Sequence, residues 1–422
     1  MHQLKNFKYL FPVLSLILLL VIRDVVGINI NQIFIFIIMI ISIALVPYRY
    51  GLLYTAFACG IISGINAYFL ICAYIVLLFK SYKKVKIRQI LPLIVLVFVE
   101  FLNNLFNGST IDPGQFLLYV SYLSIFFYFI FLNESPELCR DVIVSFMIGL
   151  AVTLCVVSIG VLKDPQLLLM DEAIERGRMG FSDDITSTHF ALNANNIAYF
   201  SCSLFAFLLL GTKTLQLNKL LYFTLLIIAV LSGVLSQSRT WVILICISII
   251  ILSVGSNFKQ KFRVLLTVSV LFLLTVLLAN DLMDALLSGL RARFEIDDIG
   301  TAGGRTDIFA MYNRFMVENP RYLLSGTGVL NYHEVTNIPN SCHNATQQVF
   351  VCYGLLGILM FTTIFIKTFL QRSRGITYTN YIAVLLPLFF IQSIQFLNPH
   401  YLMLPIAMAV LILRIPNYKF AI

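Results

Sequence analysis

Two arginines and one histidine are the residues of this chain best suited to chemistry. Arg239 stands in Leu235-Ser-Gln-Ser-Arg-Thr240, between two apolar runs. An arginine there is either a snorkelling side chain reaching the lipid headgroups or a functional charge. Arg305 follows Gly303-Gly304. Glycines ahead of a helix start expose backbone N–H groups that favour an anion, and a guanidinium beside them can grip a phosphate through two parallel hydrogen bonds. The plainer reading of Arg305 is a surface arginine paired with Asp307 or a lipid phosphate. His343 lies in Ser341-Cys-His-Asn344 at the start of another apolar run, with Gln347 four residues on and on the same helical face. The positive end of a helix dipole favours the neutral imidazole, which can accept a proton as a general base. The plainer reading of His343 is a capping or interfacial polar residue. Together, two cations and a neutral histidine at one membrane interface suit a lipid-linked phosphate or diphosphate. Glu100, followed by Asn103 and Asn104, and Asp24 in the first outer loop are alternative bases, though each more simply makes a structural hydrogen bond or ion pair. His189, His333 and His400 lack comparable flanking residues. No P-loop, GxSxG or HExxH pattern occurs, which argues against a cytosolic nucleotide as direct substrate.

The elements that must position these residues are membrane helices. The chain has 422 residues, 59% hydrophobic and 12% charged, against about 25% charged in an average soluble domain. Apolar runs of roughly 17–25 residues recur along it, and within lipid such runs satisfy their own backbone only as helices. The expected fold is all-α: one polytopic membrane domain over residues 1–422, of about 12–14 transmembrane helices, with both termini cytoplasmic. Spans are expected over 9–22, 28–46, 90–105, 115–132, 142–162, 191–210, 220–235, 241–254, 264–278, 347–366, 381–396 and 401–413. Residues 50–79, with Gly60 and Gly64 in the middle, form one tilted helix or a broken pair. An even number of crossings before the basic loop that begins at Lys80 favours the pair. The 9–22 run lacks a small-residue cleavage site and reads as a retained helix.

The net charge is +9, and its placement carries the information. Basic loops at Lys80 to Arg88, at Lys259, Lys261 and Arg263, at Lys367, Arg372 and Arg374, and the tail with Arg414 and Lys419 mark the cytoplasmic side. The charge is thus an orientation signal, and nucleic acid is not an expected partner. The long loops 163–190 and 281–345 are rich in acids and fall outside. In the second, Ile308, Met311, Tyr312, Phe315 and Met316 share one helical face before Asn319-Pro320, which predicts a short helix lying at the membrane surface. Most of the eight cysteines lie in apolar runs without CxxC or Cys/His spacing, so neither disulfides nor a metal site is expected.

From about Glu100 to Phe361 the chain resembles the O-antigen polymerase (Wzy-type) and O-antigen ligase superfamily of bacterial inner-membrane glycosyltransferases. The matching pieces, in the family's order, are Arg178-Met-Gly180, Asn195-Asn196, Ser238-Arg239, Gly304-Arg305, Gly326-Thr-Gly328, His343-Asn344-x-x-Gln347 and Gly354-Leu-Leu-Gly357. The resemblance implies a sugar chain on undecaprenyl diphosphate as substrate, presented at the periplasmic face of the inner membrane. Arg239 and Arg305 would hold the diphosphate leaving group. His343 would deprotonate or orient the acceptor hydroxyl. Arg178, Asn196, Asn344 and Gln347 would contact substrate. Transfer would invert the anomeric carbon with no metal and no cofactor, and membrane lipid and a chain-length regulator protein would be the further partners. A polymerase extends another lipid-linked repeat unit, whereas a ligase transfers the glycan to lipid A core; the pattern looks more like the polymerases. The competing class is a flippase for lipid-linked oligosaccharide. Transporters place polar residues at the membrane midplane, often in repeated halves, whereas here the charges gather at the outer edge and no repeat is visible.

Overall fold

The computed structural model describes residues 7–61, 67–81, 87–163, 178–180, 191–211, 215–255, 305–370, 387–397, 403–413 and 415. These are overwhelmingly helical. The helices are α1 (Phe7–Leu20), α2 (Gln32–Leu45), α3 (Tyr48–Gly60), α4 (Phe69–Ser81), α5 (Ile87–Phe106), α6 (Pro113–Ile130), α7 (Pro136–Lys163), α8 (Ala194–Gly211), α9 (Lys219–Leu235), α10 (Arg239–Gly255), α11 (Arg305–Glu318), α12 (Tyr332–Thr336), α13 (Ala345–Leu370) and α14 (Met403–Ile412). Strands β1 (Arg178–Gly180) and β2 (Ala191–Asn193) pair antiparallel, Arg178 opposite Asn193. Three helices are long and apolar enough to cross a membrane, within Pro113–Ile130, Pro136–Gly160 and Ala345–Lys367, and six shorter apolar helices accompany them. The expected 264–278 span, His189, His400, Gly303 and Gly304 lie outside the described residues.

Residues 50–79 form a pair, as α3 and α4 are separate helices packed on each other. Close packing of α3 on α7 is made possible by two glycines. A Cβ on Gly149 would lie 2.1 Å from the Phe57 carbonyl oxygen, and one on Gly60 2.5 Å from the Leu150 nitrogen. Small residues let helix backbones meet this way where burial against lipid offers no driving force. Asp24 is not in a loop. The chain leaves α1 as a π-helical turn, Val21–Val25, in which Arg23 and Asp24 are both fully buried. Arg23 donates to both Asp24 carboxylate oxygens, at 2.8 and 2.7 Å. A carboxylate held that way is a structural ion pair.

Polar contacts sort the bundle into two ends. At one, Lys80 Nζ donates to the Ile43 (2.7 Å), Ala44 (2.9 Å) and Val46 carbonyls and so caps α2, Arg49 pairs with Asp141 at 3.0 Å, the Tyr48 and Tyr128 hydroxyls meet at 3.0 Å, and Arg140 donates to Gln216 at 2.8 Å. The opposite end holds the C-terminus of α5, the N-termini of α8, α10 and α13, and the 305–344 segment.

At that second end the backbone does something unusual. α13 is broken at Gly354 (φ 60°, ψ −155°), and residues 323–328 run alongside the break. The Thr327 and Gly328 N–H groups donate to the Val351 and Cys352 carbonyls at 2.8 and 2.9 Å, and the Leu355 and Leu356 N–H groups donate to the Leu323 and Leu324 carbonyls at 2.8 and 3.1 Å. The groups freed by the helix break are thereby satisfied, the condition for irregular backbone at membrane depth. From the other side α5 clasps the same segment with a polar stripe at i, i+3, i+4 and i+7. Glu100 accepts the Val329 and Leu330 N–H groups at 2.7 and 3.0 Å. Asn103 donates to the Ser325 carbonyl at 2.8 Å, Asn104 bonds Asn331, and Asn107 donates to the Thr327 carbonyl at 3.0 Å.

Candidate functional site

Arg239 is the first residue of α10, reached from α9 through a tight turn in which Gln237 takes a left-handed conformation (φ 49°). The turn is fixed by Trp241. Its ring lies against Gly233, where a Cβ would sit 2.0 Å away, and its indole N–H donates to Ser201 Oγ of α8 at 2.8 Å. One indole thus locks α8, α9 and α10 together two residues after the arginine.

Arg305 is the first residue of α11 and is half-buried. Burial, and after it the charge of Arg239, hold its guanidinium below the usual arginine range. Among the described residues no carboxylate pairs with Arg305. His343 precedes α13 by two residues. Burial first, and then the charge of Arg305, push its ring below the ordinary histidine value. Arg305 at the start of α11 is thus influenced by the charge of Arg239 at the start of α10, and in turn bears on His343 just ahead of α13. The proton is held off His343, so the ring is a neutral acceptor over a wider range of acidity than a solvated histidine.

The chain around His343 is closely held. Asn344 Oδ1 accepts the Gln347 N–H at 2.9 Å and caps α13; Gln347 Nε2 donates to the Phe309 carbonyl at 2.8 Å and to Asn313 Oδ1 at 3.3 Å. Gln347 thus fastens α13 to α11, while Asn344 closes the first turn of α13. Cys342 is buried, and burial pushes its thiol up to about 12. His333 bonds the Ile338 carbonyl through Nδ1 at 2.8 Å and Ser341 Oγ through Nε2 at 3.4 Å, so it shapes the preceding turn. α11 itself packs through Ile308, Tyr312, Phe315 and Met316, whereas Met311, expected on that face, is exposed. Arg178 and Asn196 belong to a different part of the same end: β1 pairs with β2 immediately before α8, and Asn196 is buried in the first turn of α8.

His343 itself is left-handed (φ 48°), a conformation that costs most side chains about 1–2 kcal/mol and that His and Asn tolerate better than others. His343→Asn is accordingly expected to melt within about 1 kcal/mol of wild type, and the β-branched His343→Val at least 1–2 kcal/mol below it, read by thermal unfolding of the purified protein. Equal melting of the two would contradict the left-handed assignment. Asparagine, rather than alanine, is then the substitution that removes the imidazole while keeping the turn.

Glu100 makes the structural hydrogen bonds that its plainer reading expects, but the sequence does not show that their partner is the 320–331 segment. The available signal was the i, i+3, i+4, i+7 spacing of Glu100, Asn103, Asn104 and Asn107 at the C-terminal end of α5 and just past it. Among the described residues no group of three or more His, Cys, Asp or Glu is arranged to hold a metal. Comparison with family models, curated proteins and solved structures returns no match.

Proposed function

We propose that the chain is a polytopic bacterial inner-membrane glycosyltransferase that joins undecaprenyl-diphosphate-linked oligosaccharide repeat units into a surface polysaccharide at the periplasmic face. The observation that carries this reading is the cluster itself: Arg305, without a paired carboxylate among the described residues, interacts electrostatically with both Arg239 and His343. Arg305 opens a helix and its charge is set against that of Arg239, an arrangement that favours an anion beside it. The neutral imidazole beside them supplies the base.

In the proposed reaction a hydroxyl of the acceptor sugar attacks the anomeric carbon of the donor. His343 takes the hydroxyl proton. The bond from anomeric carbon to diphosphate oxygen breaks with its electron pair on that oxygen, and Arg239 and Arg305 neutralise the developing charge. The single displacement inverts the anomeric centre and invokes no metal or cofactor. On this reading the end bearing Arg49, Lys80 and Arg140 is cytoplasmic, in keeping with the basic loop at Lys80 to Arg88, and the site faces the periplasm.

The test is the surface glycan of cells lacking this gene, with and without the wild-type copy. A polymerase predicts core carrying a single repeat in the null strain and a restored ladder on complementation. Long chains held on undecaprenyl diphosphate beside bare core would make the protein a ligase. Repeat units trapped on the inner leaflet would replace the enzyme with a flippase.

A further inference from the structure

His343 is bracketed by two hydrogen-bonded pins that land on the same helix. Three residues before it, the Asn340 carbonyl accepts from the Tyr312 hydroxyl at 2.7 Å. Four residues after it, Gln347 Nε2 donates to the Phe309 carbonyl and to Asn313 Oδ1. Tyr312, Phe309 and Asn313 all belong to α11, the helix that Arg305 opens. Seven residues separate Arg305 from Tyr312, close to two helical turns, so both project from one face. Tyr312 is fully buried, and it bears on the thiol of Cys342, the residue next to His343.

We propose that Tyr312 and Gln347 are positioning residues that fix His343 against Arg305, making α11 and the 340–347 turn one rigid unit. The importance of this unit for sugar transfer rests on the function proposed above, but the geometry does not. A hydroxyl donating to the chain on one side of His343 and an amide donating from the other leave the intervening turn little freedom, and the left-handed backbone at His343 needs such support to persist. Gln347, which the resemblance made a substrate contact, becomes a strut. The charged and titratable groups facing the ring are Arg305 on α11, Arg239 on α10 beyond it, and Cys342 beside it with Tyr312 beneath; His333 stands across the turn, bonded to Ser341.

The test reads the position of His343 without reading activity. Full-length wild-type protein and Tyr312→Phe, in lipid nanodiscs, are acylated with diethyl pyrocarbonate across a pH series, and modification of each histidine is quantified by mass spectrometry. Loss of the hydroxyl lets the turn move away from Arg305. The expected result is a His343 midpoint shifted upward toward the ordinary histidine value, an unmoved His333 curve and unchanged thermal unfolding. Polymer formation in the same preparation falls through kcat with KM held. Gln347→Leu removes the other pin and must move the midpoint the same way, which keeps the test decisive if the first variant folds poorly. An unmoved His343 midpoint in a folded variant overturns the proposal. A moved midpoint in a protein whose wild type makes no polymer upholds the strut and rejects the enzymatic reading.

Discussion

Arg305→Ala, at wild-type abundance in the membrane, is expected to leave the surface glycan at one repeat and to slow transfer by about 10²–10³-fold, the usual loss when one preorganised donor to a developing anion is removed. The effect comes from three sides. The guanidinium is at the start of α11, so its charge adds to that of the helix terminus. It is desolvated, so each of its hydrogen bonds to a phosphate counts for more than in water. It also lowers the proton affinity of His343. Removing a cation makes protonation easier, so the acid limb of the pH–rate profile should move to higher pH in Arg305→Ala. Arg305→Lys keeps the charge but loses the fork that matches a phosphate, and should fall between wild type and alanine while leaving the pH profile close to wild type. Full activity in Arg305→Ala would remove the leaving-group role from this cluster.

Gly354→Ala and Gly326→Ala are expected to abolish the folded protein. At Gly354 (φ 60°) a Cβ would lie 2.5 Å from the Leu324 carbonyl carbon and oxygen; at Gly326 (φ 73°) it would lie 2.3 Å from the Cys352 carbonyl carbon. In both cases the obstacle is backbone, which cannot swing aside. Relief requires separating the 323–328 segment from α13 and breaking the four hydrogen bonds that join them. Each buried group left unpaired costs about 1–3 kcal/mol, so the sum is on the order of 4 kcal/mol or more, comparable to the stability of many whole domains. Gly27→Ala is the control. It shares the positive φ (84°) but nothing lies within 4 Å of its Cβ, so only the left-handed strain of about 1 kcal/mol remains. Detergent-solubilised abundance and melting temperature check both expectations, and a well-folded Gly354→Ala would contradict the broken-helix packing.

The candidate residues are legible in their types and places along the chain. Arg239 and His343 each stand at the edge of an apolar run, and Arg305 follows a glycine pair ahead of an amphipathic run; such positions are by geometry the ends of helices. In the fold the charge of Arg305 acts on His343 and that of Arg239 acts on Arg305. Helix identity is equally legible, because long apolar runs leave the backbone no other choice in lipid. The break in α13 is not. Gly354-Leu-Leu-Gly357 reads as helix interior, since the need for glycine at 354 lies in a carbonyl thirty residues earlier, at Leu324, which no local pattern displays. Asp24 makes the ion pair that its plainer reading expects, with its neighbour Arg23, but in a buried π-helical turn rather than the outer loop. The resemblance makes Gln347 and Asn344 substrate contacts; their hydrogen bonds to α11 and to the first turn of α13 are set by partners that the sequence does not display.

The central claim is that a lipid-linked diphosphate leaves from this cluster as a glycosidic bond forms. The most direct measurement is made on purified protein in vesicles supplied with undecaprenyl-diphosphate-linked repeat units, following released undecaprenyl diphosphate and glycan length together. The account predicts equal molar release and bond formation in wild type, both lost in Arg305→Ala and in His343→Asn of wild-type melting temperature. Movement of the lipid-linked repeat across the bilayer with no release and no new bond would contradict it.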